Sequence, residues 1–312
     1  YTEQDYNLIA TITKDINESF GFRAIVGSNV NQRARNRRKV TGSGIISEGL
    51  YHTDATSQTT VNYDFYELRR FYAAYADLQF SYNDYAYLNL VGRNDWSSTL
   101  PIDNRSYFYP GVSGSFVFTE AFDLSNSILN YGKVRAAVTK VGNEPSPYLT
   151  ATYYSIQQPL TEGGSDYNRA TLKDILGNPN LKPEFTTEYE AGVELQLLDN
   201  RVGLDLTYFH RTSTDQIALA RVPATSGFEQ EVVNIGELEN KGWEIGLDLT
   251  PVRTTSGFTW NIFSAFTKIE SKIVDAGPAT EIYIGGPFST VGTIHRTGYP
   301  YGQILGSINA RD

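Results

Sequence analysis

The feature that most constrains the fold is a pair of neighbouring segments, 185–197 and 202–208, in which apolar and polar residues alternate. Alternation of this kind predicts β-strands, because successive side chains of a strand point to opposite faces. The two residues between the segments, Asp199 and Asn200, are typical of a tight hairpin turn. The sequence therefore predicts a hairpin in which Leu197 faces Val202 and the apolar side chains share one face.

The apolar face of this hairpin is longer than a strand of a soluble protein usually provides. It runs for about ten residues per strand, whereas globular strands average about five or six and a tilted transmembrane strand needs about nine to eleven. The opposite face carries four acidic residues, Glu188, Glu190, Glu194 and Asp205. Because these charges need water or polar protein, we expect lipid on one face and a wet lumen on the other.

The same register places charged residues of the two strands opposite one another. Glu188 falls opposite Arg211, which predicts an ion pair. Glu194 falls opposite Asp205, a like-charge pair that is unfavourable without water, a cation or a neighbouring base. Together with Glu190, these residues are candidates for the lining of a lumen.

Alternation recurs along the chain and predicts about ten strands. The segments are 8–14, 20–30, 66–80, 86–90, 108–119, 134–139, 185–197, 202–208, 243–249 and 258–272. Short connections are expected at 15–19, 82–84, 120–130, 199–200 and 251–257, and longer ones between them, including 33–63, 95–107, 142–182 and 217–231; residues 277–312 are also expected to be loop. Short turns on one side and long loops on the other predict an all-β, antiparallel, up-and-down transmembrane barrel.

Aromatic residues lie near the predicted short-turn ends of the strands, at Phe80, Tyr82, Phe118 and Trp260. Such residues are expected at the interface between a membrane and water. The alternative is that they fill the core of a soluble barrel.

A basic stretch, 33–39, contains four arginines and one lysine. The simplest interpretation is a solvated loop. The alternative is contact with an anionic ligand or with lipopolysaccharide.

The composition excludes several kinds of site. There is no cysteine, so neither a disulfide nor a thiolate metal site can form, and His52, His210 and His295 lack metal-ligand spacing. No catalytic frame of residues is recognisable, so we expect no enzyme, cofactor or metal. The net charge of -9 argues against a nucleic-acid partner. The absence of methionine and of a leader suggests a mature chain or a fragment.

Four ordered motifs, with a fifth short element, resemble the SusC/RagA family of TonB-dependent outer-membrane transporters. The motifs are GRNDWSSTLPIDNRSYFYPGVSGSFVFTE at 92–120, VRAAVTKVGN at 134–143, NPNLKPE at 178–184 and NIGELENKGWE at 234–244, and the short element is Gly298-Tyr299-Pro300. The likeness covers most of residues 64–306. One departure is Trp96, where many members have glycine.

The resemblance implies a bacterial outer-membrane barrel of about 22 strands, plugged by an N-terminal domain. It also implies a SusD-like surface lipoprotein as a lid, and import of a glycan oligosaccharide or a peptide when TonB pulls on the plug. Residues 1–312 are then expected to be a partial barrel domain, with the plug, its TonB-contacting segment and the C-terminal strands outside this sequence. Other barrel segments and lipid would complete its surroundings.

Polar residues of the motifs have two interpretations. They either fix loops through hydrogen bonds or contact the substrate or the plug; the residues are Arg93, Asp95, Asn104, Arg105, Asn178, Asn180, Lys182, Glu184, Glu239, Asn240 and Lys241. Arg93, Asp95 and Arg105 are the motif residues that we select as candidate substrate- or plug-facing residues. Aromatic rings at Tyr107, Phe108, Tyr109, Tyr153 and Tyr154 suit stacking on sugars and packing equally.

Two other functions are compatible with the sequence. One is a soluble all-β domain that binds or hydrolyses carbohydrate, which would pack one strand face on a second sheet. The other is a passive outer-membrane pore or an adhesin.

Overall fold

The protein is described by a computed structural model that covers residues 1–277, 281–288 and 291–306. The described strands are β1 (Thr2–Asp15), β2 (Phe20–Ile45), β3 (Thr56–Tyr82), β4 (Ala86–Ser97), β5 (Ser106–Val117), β6 (Leu129–Asn143), β7 (Tyr154–Glu162), β8 (Ser165–Leu172), β9 (Ile175–Leu176), β10 (Glu184–Leu197), β11 (Val202–Thr214), β12 (Ile217–Arg221), β13 (Gln230–Asn234), β14 (Glu237–Arg253), β15 (Thr259–Asp275), β16 (Glu281–Phe288), β17 (Val291–Arg296) and β18 (Gln303–Gly306). Helical structure in these ranges is limited to α1 (Phe118–Ala121) and two 3₁₀ turns, Thr53–Ala55 and Ala224–Ser226.

Ten of the strands form one antiparallel sheet in the order β1-β2-β3-β4-β5-β6-β10-β11-β14-β15. Each strand lies beside the next barrel strand along the chain, so the topology is up-and-down, as the sequence predicts. The two edges are β1 and β15, which do not pair with each other in the described residues, so the sheet is an open part of a barrel.

The register carries the apolar alternation across neighbouring strands. Val193 lies opposite both Val134 on β6 and Leu206 on β11, and Leu206 lies opposite Ile245 on β14. This apolar face is open to the surroundings: 46% of Trp243 and 47% of Val112 are exposed. The predicted hairpin register, with Leu197 opposite Val202, is confirmed.

The polar face is concave. Two cavities of about 480 and 490 Å³ lie against it, each lined by residues of several consecutive strands. Their linings include inward charges such as Arg135 and Glu190 in one, and Arg93 and Asp95 in the other. A sheet that is polar on its concave side and apolar on its exposed side is the reverse of a soluble barrel, so the soluble all-β alternative does not fit.

Aromatic side chains border the apolar face at both ends. At the short-turn end, Tyr82 packs on Phe20, with 4.6 Å between ring centroids, and Trp260 is exposed. At the loop end, the sequence analysis missed a second border, which consists of Tyr72, Trp96, Phe108, Tyr189, Tyr208 and Trp243. From Tyr82 to Tyr72 a strand tilted by about 40° rises about 25 Å, the height of the apolar band of an outer-membrane barrel.

One predicted member of the short-turn border is not on a barrel strand. Phe118 begins α1, and its ring covers Gly132 of β6, where an added Cβ would approach within 2.2 Å of the ring. A strand was predicted to run through Thr119, but the strand ends at Val117 because the chain turns into α1.

The short connections lie at one rim of the sheet and bond to one another. The Asn83 backbone N–H donates to the Ser19 carbonyl, and the Leu198 N–H donates to the Ile128 carbonyl. In the hairpin turn, Asp199 and Asn200 both have positive φ, of 54° and 58°, which these residue types tolerate.

Several predicted loops contain strands, and these predictions were wrong. Residues 33–63 mostly continue β2 and β3 as one long hairpin that is exposed to solvent. Basic and hydroxyl residues occupy both faces of this hairpin, so the sequence shows no alternation of apolar and polar residues there. The 95–107 connection is shortened by β4, which reaches Ser97. The long loop 142–182 contains β7, β8 and β9, and the loop 217–231 contains β12 and part of β13. Within 277–312, the described residues include β16, β17 and β18, and residues 278–280, 289–290 and 307–312 lie outside the described part.

In the described ranges, no helix has the length and apolar character needed to cross a bilayer.

The facing of the sheet can be tested with adjacent substitutions on β5. Val112 faces outward at the middle of the apolar band, and Ser113 lines the inner cavity. We expect Val112→Arg to destabilise the folded full-length protein by about 2–4 kcal/mol, because it places a charge against lipid. Ser113→Arg should cost much less, since its guanidinium reaches water. Urea unfolding from lipid vesicles measures both, and equal losses would contradict this facing.

Candidate functional site

The concave face carries a charged group near its middle, which we call the lower lumenal network: Lys133, Arg135, Glu190, Glu194 and Asp205. Arg135 forms a bidentate pair with Asp205, its Nη1 and Nη2 donating to Oδ2 and Oδ1 at 2.9 and 2.8 Å. The Nε of Arg135 also donates to Glu190 at 3.4 Å. The network therefore joins strands β6, β10 and β11.

A glycine makes this arrangement possible. Arg135 on β6 lies directly opposite Gly192 on β10, yet its partner Asp205 is on the next strand, β11. A Cβ added at Gly192 would lie 2.9 Å from Cζ and Nε of Arg135. Because Gly192 has no side chain, the Arg135 side chain can pass over β10 and reach β11. There its guanidinium also donates to Thr207 at 2.5 Å.

The predicted like-charge pair is present and is neutralised by bases. Glu194 lies opposite Asp205, as expected. Lys133 is paired with Glu194, with 2.6 Å between Nζ and Oε2, and Arg135 holds Asp205. The sequence analysis allowed water, a cation or a neighbouring base to offset this repulsion, and in the structure neighbouring bases are paired with both acids. In the sequence, these bases are recognisable as Lys133 and Arg135, which are two residues apart on β6 and therefore share one face.

The predicted ion pair between Glu188 and Arg211 is confirmed. Arg211 also lies over the ring of Phe209, 5.6 Å from its centroid. Both charged residues face inward, one step toward the loop end from Glu190. The pair extends the charged inner face of β10 and β11 toward the loop end.

A second inward group lies near the loop end of β4 and β5, and we call it the upper lumenal cluster: Arg93, Asp95, Tyr107 and Tyr109. Asp95 is only 3% exposed and accepts from Arg93 Nε at 2.8 Å and from Tyr109 OH at 2.6 Å. Arg93 in turn lies 5.5 and 5.6 Å from the ring centroids of Phe71 and Tyr75. The buried carboxylate is therefore paired and hydrogen-bonded, the condition for burying a charge.

The sequence analysis missed a neighbouring carboxylate. Glu144, 9% exposed, accepts an ion pair from Arg69 and hydrogen bonds from the hydroxyls of Ser97 and Thr99. It directly follows the Gly-Asn end of a family-like motif, in a segment that was predicted to be loop. Its position directly after this motif was the one feature of the sequence that could have identified Glu144 as a candidate.

The cavity of about 490 Å³ beside the upper lumenal cluster is here called the upper cavity, and its wall on β1 and β2 carries amides, acids and one arginine. Asn31 donates to both Glu3 and Asp5 at 3.0 Å, and Asn29 donates to Asp5 at 2.9 Å. Arg33 pairs with Glu3 at 2.8 Å. This wall offers fixed donors and acceptors next to the rings of the upper lumenal cluster, an arrangement suited to a hydroxylated or amide-bearing ligand.

Other motif residues form a clamp between loops, which we call the loop clamp: Asn104, Leu181, Lys182 and Asn234. Asn104 Nδ2 donates to the backbone carbonyls of Asn180 and Leu181 at 3.1 Å. Asn234 accepts from the Lys182 N–H at 2.8 Å and donates to the Lys182 carbonyl at 2.9 Å. Leu181 is fully buried. For these residues, the loop-fixing interpretation is the one that the structure supports.

The remaining motif residues are distributed over several places. Glu184 accepts from Asn143 and from the Ile217 N–H, and the Asn178 side chain accepts from the Asn180 N–H. Asn240 accepts from Ser271. Arg105 is exposed in the β4–β5 loop, and its backbone carbonyl accepts from the Ser97 N–H. The structure thus places all the candidate lining residues except Arg105 on the concave face, with Arg93 and Asp95 in one group and the residues of β10 and β11 in another.

The aromatic candidates also separate. Tyr107 is buried and stacks on Tyr109, with 6.2 Å between ring centroids. Phe108 points outward and is 58% exposed. Tyr153 contacts Tyr148 in the loop region, and Tyr154 is exposed. Only Tyr107 and Tyr109 belong to the upper lumenal cluster.

The part of the chain that the structure describes contains no group of three or more His, Asp or Glu side chains placed to hold a metal ion. The inward face offers paired charges, amides and rings. Such a surface can bind and guide a polar molecule.

The role of Gly192 can be tested against a matched glycine. Gly192→Ala should push the Arg135 guanidinium away from Asp205 and destabilise the full-length protein by about 1 kcal/mol, since the pair is partly exposed. Gly246→Ala should be near neutral, because its nearest neighbour, Asp205 Cβ, lies at an ordinary 3.6 Å.

A double-mutant cycle makes this test specific. In an Arg135→Gln background, Gly192→Ala should add almost no further cost, because the displaced group is gone. An undiminished cost, measured by denaturant unfolding, would mean that Gly192 acts in another way.

The loop clamp predicts local stability. Asn234→Ala removes three hydrogen bonds, worth about 0.5–1.5 kcal/mol each, and should speed proteolysis within 142–183 severalfold. Asn126→Ala, which removes a similar set of bonds at the opposite rim, should leave that cleavage unchanged. Unchanged cleavage in Asn234→Ala would show that the loop clamp does not stabilise residues 142–183.

Comparison with known proteins gives a consistent match. The model of the family described as TonB dependent receptor-like, beta-barrel, matches residues 1–309. TonB-dependent receptor P26 of Formosa agariphila is 30% identical over 241 residues, which cover 76% of this chain and 24% of that protein. TonB-dependent receptor SusC of Bacteroides thetaiotaomicron is 26% identical over 201 residues, 62% of this chain and 20% of that protein.

A solved structure shares the fold. The structure of the RagAB peptide transporter superposes with a TM-score of 0.80 at 19% identity, over 96% of this chain and 33% of that chain. The present chain spans about a quarter of the length of two curated relatives from Formosa agariphila, TonB-dependent receptor P26 and TonB-dependent receptor P3.

Proposed function

The chain belongs to the TonB-dependent receptor family, as part of its β-barrel, and on that premise we propose that it forms a wall of a barrel that imports a nutrient across the bacterial outer membrane. Barrels of this family lie in the outer membrane, so the apolar face is the one that meets lipid. The proposed activity is binding and transport rather than catalysis.

The observation that carries the proposal is the inner face. Charges on this face are held in pairs, across strands for Arg135 with Asp205 and along one strand for Arg93 with Asp95. None of these four side chains is on the lipid side. A wall of paired charges in a hydrated lumen can offer hydrogen bonds without a strong net field, which suits neutral or mixed-charge cargo.

The cargo that we propose is a glycan oligosaccharide or a peptide. The amide and acid wall of the upper cavity, and the Tyr107 and Tyr109 rings beside it, provide contacts that either cargo can use. SusC and the RagAB peptide transporter are among the similar proteins, which supports this class of cargo.

The proposed partners follow from the same class of transporter. A SusD-like lipoprotein would cover the loop side, and TonB would act through a plug domain that lies outside residues 1–312. Other barrel strands would pair with the edges β1 and β15, because unpaired strand edges are not tolerated in lipid.

Growth and uptake of a deletion strain test this function. A strain lacking the gene, with and without the full-length protein restored, is grown on defined oligosaccharides and peptides, and uptake of the supporting nutrient is then measured with the proton gradient collapsed. We expect one nutrient class to require the protein, and uptake to stop without the gradient. Uptake that continues would identify a passive pore, and growth that never depends on the protein would contradict import.

The upper lumenal cluster gives a residue-level prediction. Asp95→Asn keeps the shape of the side chain but removes the charge that orders Arg93 and Tyr109. We expect uptake to fall severalfold while the amount of folded protein is maintained. Arg105→Gln, in the exposed β4–β5 loop and outside the linings of both inner cavities, is the control and should transport normally. Equal uptake by the wild type, Asp95→Asn and Arg105→Gln would show that Asp95 does not contribute to transport.

A further inference from the structure

One motif lysine points to the lipid side of the sheet instead of the lumen. Lys241 lies on β14 two residues from Trp243, so both side chains are on the outward face. On the neighbouring strand, Lys268 lies directly opposite Trp243. Neither lysine can take part in the inward surface described above.

These residues border a cleft on the outside of the barrel. The cleft has a volume of about 250 Å³ and is lined by Tyr208, Lys241, Gly242, Trp243, Lys268 and Glu270. The Tyr208 and Trp243 rings form one wall, with 4.9 Å between their centroids. The cleft is smaller than the roughly 300–1,000 Å³ of ordinary small-molecule pockets, so it suits a headgroup fragment.

The cleft lies at the height of a membrane headgroup. Tyr208 and Trp243 belong to the aromatic border at the loop end, and such rings sit at the headgroup level of a bilayer. Lys241 is one outward step nearer the loops than Trp243. Lysines in this position bury their carbon stems beside apolar surface and hold the ammonium group among the headgroups.

The outward rim at this height is basic, although the chain as a whole carries a charge of -9. At the aromatic border and the two outward positions beyond it, the basic residues are Arg70, Lys140, Lys241, Lys268 and Lys272, and the acidic ones are Glu239 and Glu270. Five basic side chains against two acidic ones favour an anionic partner on this face.

One of the acidic side chains lies in the cleft itself. Lys268 Nζ is 3.0 Å from Glu270 Oε1, and the two side chains are 63% and 57% exposed. An ion pair this exposed contributes little, so an anion can replace the carboxylate as the partner of Lys268. Glu270 is therefore a competitor for the cleft.

We propose that this cleft binds the phosphate headgroup of a lipid in the outward leaflet of the membrane. Lys241 and Lys268 contact the phosphate, and Tyr208 and Trp243 pack beside the part of the lipid that joins the headgroup to its acyl chains. The cleft opens on the same face as the apolar band, which selects a membrane lipid over a soluble phosphate. The site is independent of the transported cargo.

Lipid retention by the purified full-length protein tests the site. Native mass spectrometry of the protein in detergent, with phosphatidic acid or phosphatidylcholine added, counts the bound lipids. We expect one phosphatidic acid to be retained in preference to phosphatidylcholine. The double variant Lys241→Gln/Lys268→Gln should weaken that retention by on the order of tenfold or more, and Glu270→Gln should strengthen it.

Two controls separate this site from general attraction. Lys14→Gln changes an outward lysine at the opposite rim and should leave retention unchanged. Inorganic phosphate should fail to displace the lipid. A heat-modifiable gel shift confirms that each variant is folded. Equal retention by the wild type and the double variant, displacement by inorganic phosphate, or weaker retention by Glu270→Gln would overturn the proposal.

Discussion

The structure depends on one constraint: a strand in lipid must satisfy every backbone N–H and C=O by pairing with its neighbours. Nine consecutive antiparallel pairings among the ten strands accomplish this for all but the two edges. Because side chains then alternate with a period of two, each residue is assigned either to the lipid or to the lumen, and a slip of one residue would invert the assignment. Val193 and Glu194 are adjacent in sequence and lie on opposite sides of the sheet for this reason.

The inner charges follow from the same assignment. An acid that faces inward can reach only side chains of the same face, on its own strand or on strands nearby, so its partner comes from there. Glu194 takes Lys133 from the strand beside it, and Asp205 takes Arg135 from two strands away. The longer reach requires a residue without a side chain between them, which Gly192 provides. A charged lumen thus becomes a set of matched pairs.

The sequence was sufficient for features that repeat with a fixed period. The hairpin register, the facing of Leu206 and the pairing of Glu188 with Arg211 follow from alternation and one turn. Contacts that join distant segments did not follow, since nothing in the local pattern relates Glu144 to Arg69. The strands within the predicted loops were missed because short exposed hairpins such as β7 and β8 lack a buried face to impose alternation.

The outward position of Lys241 was missed for a different reason. It belongs to a motif in which Asn234 fixes backbone and Asn240 and Glu244 face inward. Grouping by motif therefore concealed the outward facing of Lys241 and of Glu239. Counting residues along β14 reveals the facing, because Lys241 is two residues from Trp243 and therefore lies on the same face. A motif and a face are separate properties of a strand residue.

The central claim, that the sheet shows lipid its apolar face and water its polar face, is tested most directly by a scan along β11. The chain has no cysteine, so single cysteines at positions 203–208 can carry a nitroxide label in the full-length protein in vesicles. Electron paramagnetic resonance then compares the accessibility of each label to oxygen, which enters lipid, and to a water-soluble nickel complex. The account predicts strict alternation, with oxygen favoured at 204, 206 and 208 and the nickel complex at 203, 205 and 207. A uniform profile, or alternation of the opposite sense, would contradict it.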